Sequence, residues 1–448
     1  MVSVSGVRGR VGEALTPELV AAYAGAFAAW ARSRGAGRSV VVGRDSRVSG
    51  PAFHRIVIGA VQAAGCDVID VGLAPTPTIQ LAVEHHRAAG GLAITASHNP
   101  IEWNSLKFIG ANGMFLDASD GAAMRALLDA GNPYVAWQEL GDVRNDSGAV
   151  ARHIERVLSL PFIDAAAIRS RKFHVALDTC HGAGGAIVPA LLERLGCRVS
   201  SIGLETDGKF PRSPEPVADN LGDLAALVRS TGAAIGFATD PDVDRLALVD
   251  DTGTAIGEDW TLALAARVVL SRRSGPVVTN LSTSRIVDDV AAAAGATVRR
   301  APVGEINVAL AMKAAGAVVG GEGNGGVIVP DLHLGRDAPA GVALLLQLLV
   351  DAGRPLSKVV ADYPRYAIVK DKLPVPAKPL DAVYESLREA FADADRDTQD
   401  GLRLSWPDRW LHVRPSGTEP VVRVIAEAPS IEAARGLVER ARGSLTGV

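Results

Sequence analysis

Short apolar runs alternate with segments of helical spacing along most of this chain. The run Ser39-Val40-Val41-Val42 reads as a buried strand, followed by a helix over 51–64. A strand over 67–71, a helix over 78–85 and a strand over 91–95 complete that unit. A second unit begins with a strand over 173–177, passes the turn His181-Gly182-Ala183-Gly184-Gly185, continues as a helix over 188–195 and includes a strand over 233–238. A third has strands over 276–279, 297–300 and 317–320, with a helix over 284–294. Such alternation predicts an α/β fold with parallel or mixed sheets covered by helices on both faces. Polar or turn-rich stretches put boundaries near residues 150, 250 and 365, with Asp250-Asp251-Thr252-Gly253 as a hairpin turn. After Pro374 the pattern becomes a helix over 381–392, short strands and a closing helix over 431–442, which predicts a smaller α+β domain. The expected domains are 1–150, 151–250, 251–365 and 366–448.

Composition fits this reading. A chain of 448 residues, 48% hydrophobic and 21% charged, is globular and too long for one core. The net charge of −4 excludes a nucleic-acid binder that works through a bulk positive field. Cys66, Cys180 and Cys197 lie far apart without metal-ligand spacing, as suits a reducing compartment. Arg8 and Arg10 interrupt the N-terminus, and the apolar helix over 342–350 is too short to span a bilayer, so a soluble cytoplasmic protein without a membrane partner is expected. No coiled-coil or apolar stripe announces an oligomeric state.

Four segments carry candidate chemistry. Thr95-Ala96-Ser97-His98-Asn99-Pro100 follows an apolar strand, which sets the Ser97 hydroxyl on a tight loop at a strand's carboxyl end, where open α/β sheets bind ligands. In Asp240-Pro241-Asp242-Val243-Asp244-Arg245 the acids alternate, so on an extended backbone three carboxylates share one face. They would repel one another unless a cation joined them, and a hard ion such as Mg²⁺ fits oxygen ligands beside a phosphate. Gly321-Glu322-Gly323-Asn324-Gly325-Gly326 is too glycine-rich for a strand interior and offers Glu322 and Asn324 as functional side chains. Arg414-Pro415-Ser416-Gly417-Thr418 combines a guanidinium, two hydroxyls and exposed backbone N–H groups, a phosphate cradle.

The order of these motifs, with Gly6-Val7-Arg8-Gly9 before them, resembles the α-D-phosphohexomutase family over nearly the whole chain. That family includes phosphoglucomutases, phosphomannomutases and phosphoglucosamine mutases. The resemblance implies four domains around a central cleft, three of them related α/β domains with mixed sheets and the fourth a smaller α+β C-terminal domain. It implies that Ser97 carries a phosphoryl group and is the fourth metal ligand beside Asp240, Asp242 and Asp244. It gives Lys107 the part of general acid/base, with its pKa lowered by nearby positive charge. His98 is a second candidate for proton handling. Arg8 reaches the active site, and Arg245 stabilises the transferring phosphoryl group. Glu322 and Asn324 bind sugar hydroxyls; Arg414, Ser416, Gly417 and Thr418 hold the phosphate that is not reacting. Gly43-Arg44-Asp45-Ser46-Arg47 and Asp207-Gly208-Lys209-Phe210-Pro211 also match; the first is read as structural with charges paired locally, the second as a loop near the metal domain.

The reaction so implied interconverts hexose 6-phosphate and hexose 1-phosphate through a 1,6-bisphosphate, which also serves as activator. Where family members commonly carry Ser followed by Gly-His, this chain has Asn324-Gly325-Gly326, and Ser282 stands where some glucose and mannose enzymes carry a lysine. The first departure resembles the archaeal-type branch, and the two together favour glucosamine phosphate over glucose or mannose phosphate. A non-catalytic sugar-phosphate-binding protein would lack Ser97, an aspartate or Lys107, and a metal-dependent phosphatase need not retain a phosphoserine; all the named residues are present.

Overall fold

The structure, a computed structural model, describes residues 2–3, 6–131, 133–376, 379–416 and 421–446. In the first domain β1 (Val2–Ser3), β2 (Gly6–Arg10), β3 (Ser39–Arg44), β4 (Asp67–Leu73), β5 (Gly90–Ile94), β6 (Trp103–Gly110) and β7 (Val143–Asn145) form one sheet in the order β1-β2-β6-β5-β3-β4-β7. The second holds β8 (His174–Asp178), β9 (Arg198–Ile202), β10 (Ile235–Thr239) and β11 (Leu246–Val249), ordered β11-β10-β8-β9. The third holds β12 (Val277–Asn280), β13 (Val298–Ala301), β14 (Val319–Glu322) and β15 (Gly326–Ile328), ordered β15-β14-β12-β13.

One motif underlies all three. Strands β3, β4 and β5 are parallel and β6 returns antiparallel to β5; β8 to β11 and β12 to β15 repeat that pattern. The antiparallel fourth strand is what makes each sheet mixed. It also fixes where the chemistry lies, because the reversal from third to fourth strand is loop 95–102, 240–245 or 323–325. The three motif-bearing loops therefore occupy one topological position, at the carboxyl end of a parallel strand.

Helices cover these sheets: α1 (Pro17–Ser33), α2 (Gly50–Ala63), α3 (Thr76–His86) and α4 (Ala118–Ala130) in the first domain, then α5 (Ala149–Leu158), α6 (Ala165–Arg171), α7 (Val188–Arg194) and α8 (Gly222–Thr231). The third has α9 (Asp259–Leu270), α10 (Ile286–Ala293), α11 (Glu305–Ala315), α12 (Ala338–Ala352) and α13 (Leu356–Val360). The apolar α12 starts at Asp337, whose carboxylate accepts the Ala340 N–H at 2.8 Å, and stops at Gly353 with φ 63°. Its residues from Ala338 to Leu349 are all buried, and most of its large apolar side chains join the core that the second and third domains share. The segment that reads as a short apolar helix is thus an interior packing element, and no helix of the described residues is long and apolar enough to cross a membrane.

The C-terminal part is an antiparallel sheet of β16 (Ala367–Pro374), β17 (Asp395–Asp397), β18 (Leu402–Ser405), β19 (Trp410–Pro415) and β20 (Val421–Ala428), ordered β16-β20-β19-β18-β17. Helices α14 (Leu380–Ala390) and α15 (Ile431–Thr446) pack their apolar positions, Val383, Leu387, Leu437 and Ala441 among them, into its core. Its seam with the third domain is polar: Glu427 accepts from the Ser284 hydroxyl and, at 2.9 Å, from the Arg285 N–H.

Candidate active site

Ser97 follows β5 in the left-handed region, φ 49°, a conformation that costs energy for a residue with a Cβ and so requires support. The support comes from the segment read as merely structural. Buried Arg47 donates to the carbonyls of Ser97 (2.6 Å), Asn99 (2.7 Å), Pro100 (2.8 Å) and Trp103 (2.8 Å), clamping the whole loop. Asp45 pairs with Arg47 at 3.2 Å, so the expected local pairing is present, but it serves to aim the guanidinium. Thr95 donates to Asp45 (2.6 Å) and accepts the Ser97 N–H (2.9 Å). The loop 207–211 packs on the far side, with the Phe210 ring 5.1 Å from the Arg47 guanidinium.

The Ser97 hydroxyl donates to Asp240 Oδ2 at 2.8 Å, so the first domain delivers its nucleophile onto the first carboxylate of the second. Carboxylate oxygens of Asp240, Asp242 and Asp244 lie within 4.8 Å of one another, all buried. They converge for a different reason than alternation on an extended strand. The strand ends at Thr239, and residues 241–244 form a turn in which Val243 adopts φ 65°, a strained value for a β-branched side chain. Burial and the neighbouring Asp244 and Asp242 charges push the Asp240 carboxyl well above its ordinary range. Asp242 Oδ1 and Asp244 Oδ1 are buried with no hydrogen-bond partner, which makes the trio a fit for a hard divalent cation.

Lys107, in the middle of β6, sends its ammonium 2.6 Å from Asp242 Oδ2 and 3.5 Å from Asp244 Oδ2. Burial alone would lower its pKa, yet the Asp242 and Asp244 charges outweigh it and hold the ammonium above its ordinary value. The protein's own carboxylates thus dominate the field at Lys107, and the expected lowering belongs to the charge of a cation bound by those carboxylates. Asp242 is held low in turn; burial and Asp244 push it up, but Lys107 and a 2.7 Å hydrogen bond from Thr76 prevail. Arg8 donates to Asn99 Oδ1 at 2.6 Å and so touches the serine loop. His98 Nδ1 lies 3.3 Å from the Ser97 hydroxyl, and burial with Arg245 and Arg8 nearby keeps the ring well below its usual pKa, hence neutral. Arg245 sits beside it, 3.4 Å from Glu215.

The glycine-rich segment is a hairpin rather than a free loop: Gly321 and Glu322 end β14, Gly326 begins β15, and Gly321 pairs with Val327 at φ 150°. Glycine-richness here reflects close backbone approach, since a Cβ on Gly321 would meet the Gly326 carbonyl at 2.0 Å. Glu322 Oε1 accepts from Asn280 (2.8 Å) and the Gly304 N–H (3.1 Å); Oε2 accepts from Arg336 (2.6 Å) and Asn324 (3.4 Å). Ser282 bonds His412 at 2.9 Å and so joins the third domain to the fourth. Arg414 donates to Asp400 at 2.7 Å, and Asp400 accepts the Val303 N–H at 3.1 Å, so the C-terminal arginine connects to the residue before Gly304. The Ser416 N–H donates to the Val421 carbonyl at 2.8 Å, whereas Gly417 and Thr418 lie outside the described residues.

Arg8, Ser97, His98, Lys107, the three aspartates and Arg245 thus form one connected cluster, with Glu322 and Asn324 joined to it through Arg336. Sequence reading passes over Arg47 as a loop clamp, Thr76 and Arg336. For Thr76 the signal is slight, a threonine between Pro75 and Pro77; for Arg336 it is an arginine just before the capping Asp337.

Comparison with known proteins covers nearly the whole chain. Phosphoglucomutase/phosphomannomutase alpha/beta/alpha domain I matches residues 2–134, domain II residues 151–253, domain III residues 257–366, and the C-terminal domain residues 368–444. The chain is 40% identical to a probable phosphoglucosamine mutase of Methanopyrus kandleri, over 97% of this chain and 95% of that protein. It is also 40% identical to a phosphoglucomutase/phosphomannomutase of Thermococcus kodakarensis, over 97% and 96%. A crystal structure of a phosphoglucomutase/phosphomannomutase family protein from Burkholderia thailandensis superposes with a TM-score of 0.85 at 28% identity, covering 99% of this chain and 98% of that one.

Proposed function

The chain belongs to the phosphoglucomutase/phosphomannomutase family, a phosphohexomutase family of isomerases, and we propose that its substrate is glucosamine phosphate. The observation that carries the mechanism is the Ser97 hydroxyl, 2.8 Å from Asp240 inside a trio of carboxylates in which two buried oxygens accept no hydrogen bond. In the proposed cycle phosphoserine Ser97 donates its phosphoryl group to the free hydroxyl of the sugar. The P–O bond to Ser97 breaks as the P–O bond to the sugar forms, and the hydroxyl proton passes to Lys107 as its neutral amine, a form that a cation held by Asp242 and Asp244 would favour by offsetting the two charges that hold the ammonium. The resulting 1,6-bisphosphate turns over in the cleft and returns its other phosphoryl group to the serine. Bound by Asp240, Asp242, Asp244 and a phosphoserine oxygen, Mg²⁺ would neutralise charge on the phosphoryl oxygens.

The protein residues divide the remaining work. Arg47 fixes the strained serine loop, so Ser97 need not be reoriented as the reaction proceeds. Arg8 and Arg245 supply positive charge beside it, and neutral His98 steadies the loop. Glu322 and Asn324 grip sugar hydroxyls, while Arg414, Ser416, Gly417 and Thr418 hold the distal phosphate in either orientation.

Asn324 and Ser282 support the choice of sugar. A second reading, glucose or mannose phosphate, is favoured by the equally similar Thermococcus relative. The deciding experiment supplies purified protein and Mg²⁺ with glucosamine, glucose and mannose 6-phosphates, each with a trace of its bisphosphate, and follows phosphorus by NMR. Fastest conversion of the glucosamine compound supports the proposal; preference for another sugar selects the second reading; release of free phosphate rejects a mutase.

A further inference from the structure

Among the described residues Arg336 is the buried cation that touches both the carboxylate trio and the glycine-rich hairpin. Each edge of its guanidinium meets a different acid: Nη2 lies 2.6 Å from Asp244 Oδ2, Nη1 2.6 Å from Glu322 Oε2, and Nε 2.9 Å from Glu305 Oε2. Its backbone neighbours are anchored on the same two sides. The Asp337 N–H donates to the Val327 carbonyl at 2.8 Å, on the hairpin, and the Ala338 N–H to the Val243 carbonyl at 3.2 Å, in the turn that gathers the aspartates.

The hairpin is shaped to admit this side chain. A Cβ on Gly326 would stand 2.2 Å from Arg336 Cδ and 2.8 Å from Cγ, so the stem passes only because residue 326 is glycine. Gly326 has no left-handed φ to justify it otherwise. The next glycine toward the N-terminus, Gly325, receives the Leu246 N–H on its carbonyl at 3.0 Å, which ties the hairpin to the strand leaving the metal turn.

We propose that Arg336 is a positioning residue that sets the separation between the sugar-gripping Glu322 and Asp244, with Gly326 kept open to let it through. This rests on the phosphohexomutase reading of the site. A substrate that must be bound in two orientations needs the sugar grip and the phosphoryl site at one fixed spacing. A planar guanidinium that donates from Nη1 to Glu322 and from Nη2 to Asp244 fixes two carboxylates at once; a lysine ammonium has donors but no rigid fork. Loss of the fork lets Glu322 and Asp244 relax independently.

The test compares wild type, Arg336→Lys and Gly326→Ala in two assays. Calorimetry in EDTA measures glucosamine 6-phosphate binding to unphosphorylated protein, without metal or turnover; steady-state kinetics measures kcat and the Mg²⁺ concentration for half-activation. Arg336→Lys is expected to weaken metal-free binding roughly 10-fold, to lower kcat roughly 100-fold and to raise the Mg²⁺ midpoint. Gly326→Ala changes no charge, yet should move all three in the same direction by displacing the guanidinium. A purely structural Arg336 would lower the melting temperature and leave these parameters alone. Gly326→Ala with metal-free binding and Mg²⁺ midpoint within twofold of wild type overturns the proposal, whether or not Arg336→Lys folds. A wild-type protein without mutase activity overturns the function reading instead, and the metal-free binding comparison is unaffected by that result.

Discussion

Ser97 and Asp240, 143 residues apart in the chain, meet in a 2.8 Å hydrogen bond that joins the first domain to the second. Thr76 forms a parallel link, donating its N–H to the Asp242 carbonyl at 2.9 Å and its hydroxyl to the Asp242 carboxylate at 2.7 Å. The reactive groups are thus held across a domain joint rather than within one domain, and each side is testable by itself.

Ser97→Ala removes the only hydroxyl between Ala96 and Pro100 and with it the phosphoryl carrier. Turnover should drop by roughly 10⁴-fold or more, as for other nucleophile deletions. Intact-protein mass should show one phosphoryl group on active wild type and none on the variant. Wild-type-like turnover by the variant would sink the phosphoserine mechanism.

Asp242→Asn keeps the shape of the turn but removes one negative charge from the trio. It also weakens the partner of Lys107, which lies 2.6 Å away. Activity should fall steeply and recover little with added Mg²⁺, and EDTA should silence wild type. Undiminished wild-type activity in excess EDTA would show that the carboxylates serve no metal.

Arg47 bonds four carbonyls of the serine loop, which no lysine can reproduce because an ammonium offers three donors. Arg47→Lys should therefore misplace Ser97 and lower kcat by about 10²-fold, with little change in KM. A variant with normal kcat and a lowered melting temperature would make Arg47 a stability residue alone.

The serine loop, the aspartate turn and the α/β alternation were legible because each is local: an apolar run ending in turn residues, or acids at short spacing. The antiparallel fourth strands were not, since a strand's direction depends on its partner and not on its own side chains. That one omission hid the common position of the three functional loops. It also led to the extended-strand account of the aspartates, which the left-handed φ of Val243 replaces. Arg47 and Arg336 escaped for another reason. Arg47 acts on carbonyls 50 to 56 positions away and Arg336 on Asp244, 92 positions away, through contacts that only the tertiary fold creates.

Asn324 Oδ1 accepts the Gly326 N–H at 3.2 Å, whereas its Nδ2 is 3.4 Å from Glu322, so the amide donor is the group held weakly enough to serve a sugar substituent. Removing such a partner typically costs ~1–3 kcal/mol, or roughly one to two decades in kcat/KM. Asn324→Ser should change the ratio of glucosamine to glucose turnover more than their sum. An equal loss on every sugar would reduce Asn324 to a loop-shaping residue.

Asp259 gives a pH dependence whose sign follows from burial. Its carboxyl lies under the sugar hairpin, accepts the Ser284 N–H at 2.9 Å, and is pushed by burial and the nearby Glu258 and Glu427 charges up to about 7, from an ordinary 3.8. The folded protein therefore holds a proton that the unfolded chain has already lost. The contribution of Asp259 to stability falls as pH rises from about 4 to about 7 and is flat beyond, by a few kcal/mol at roughly 1.4 kcal/mol per pH unit. Asp259→Asn keeps the acceptor for Ser284 and removes the ionisation. Its melting temperature relative to wild type should climb between pH 4 and 7 and level off above. A difference that stays constant across that window would mean that Asp259 titrates normally and that its burial is matched by a charge partner.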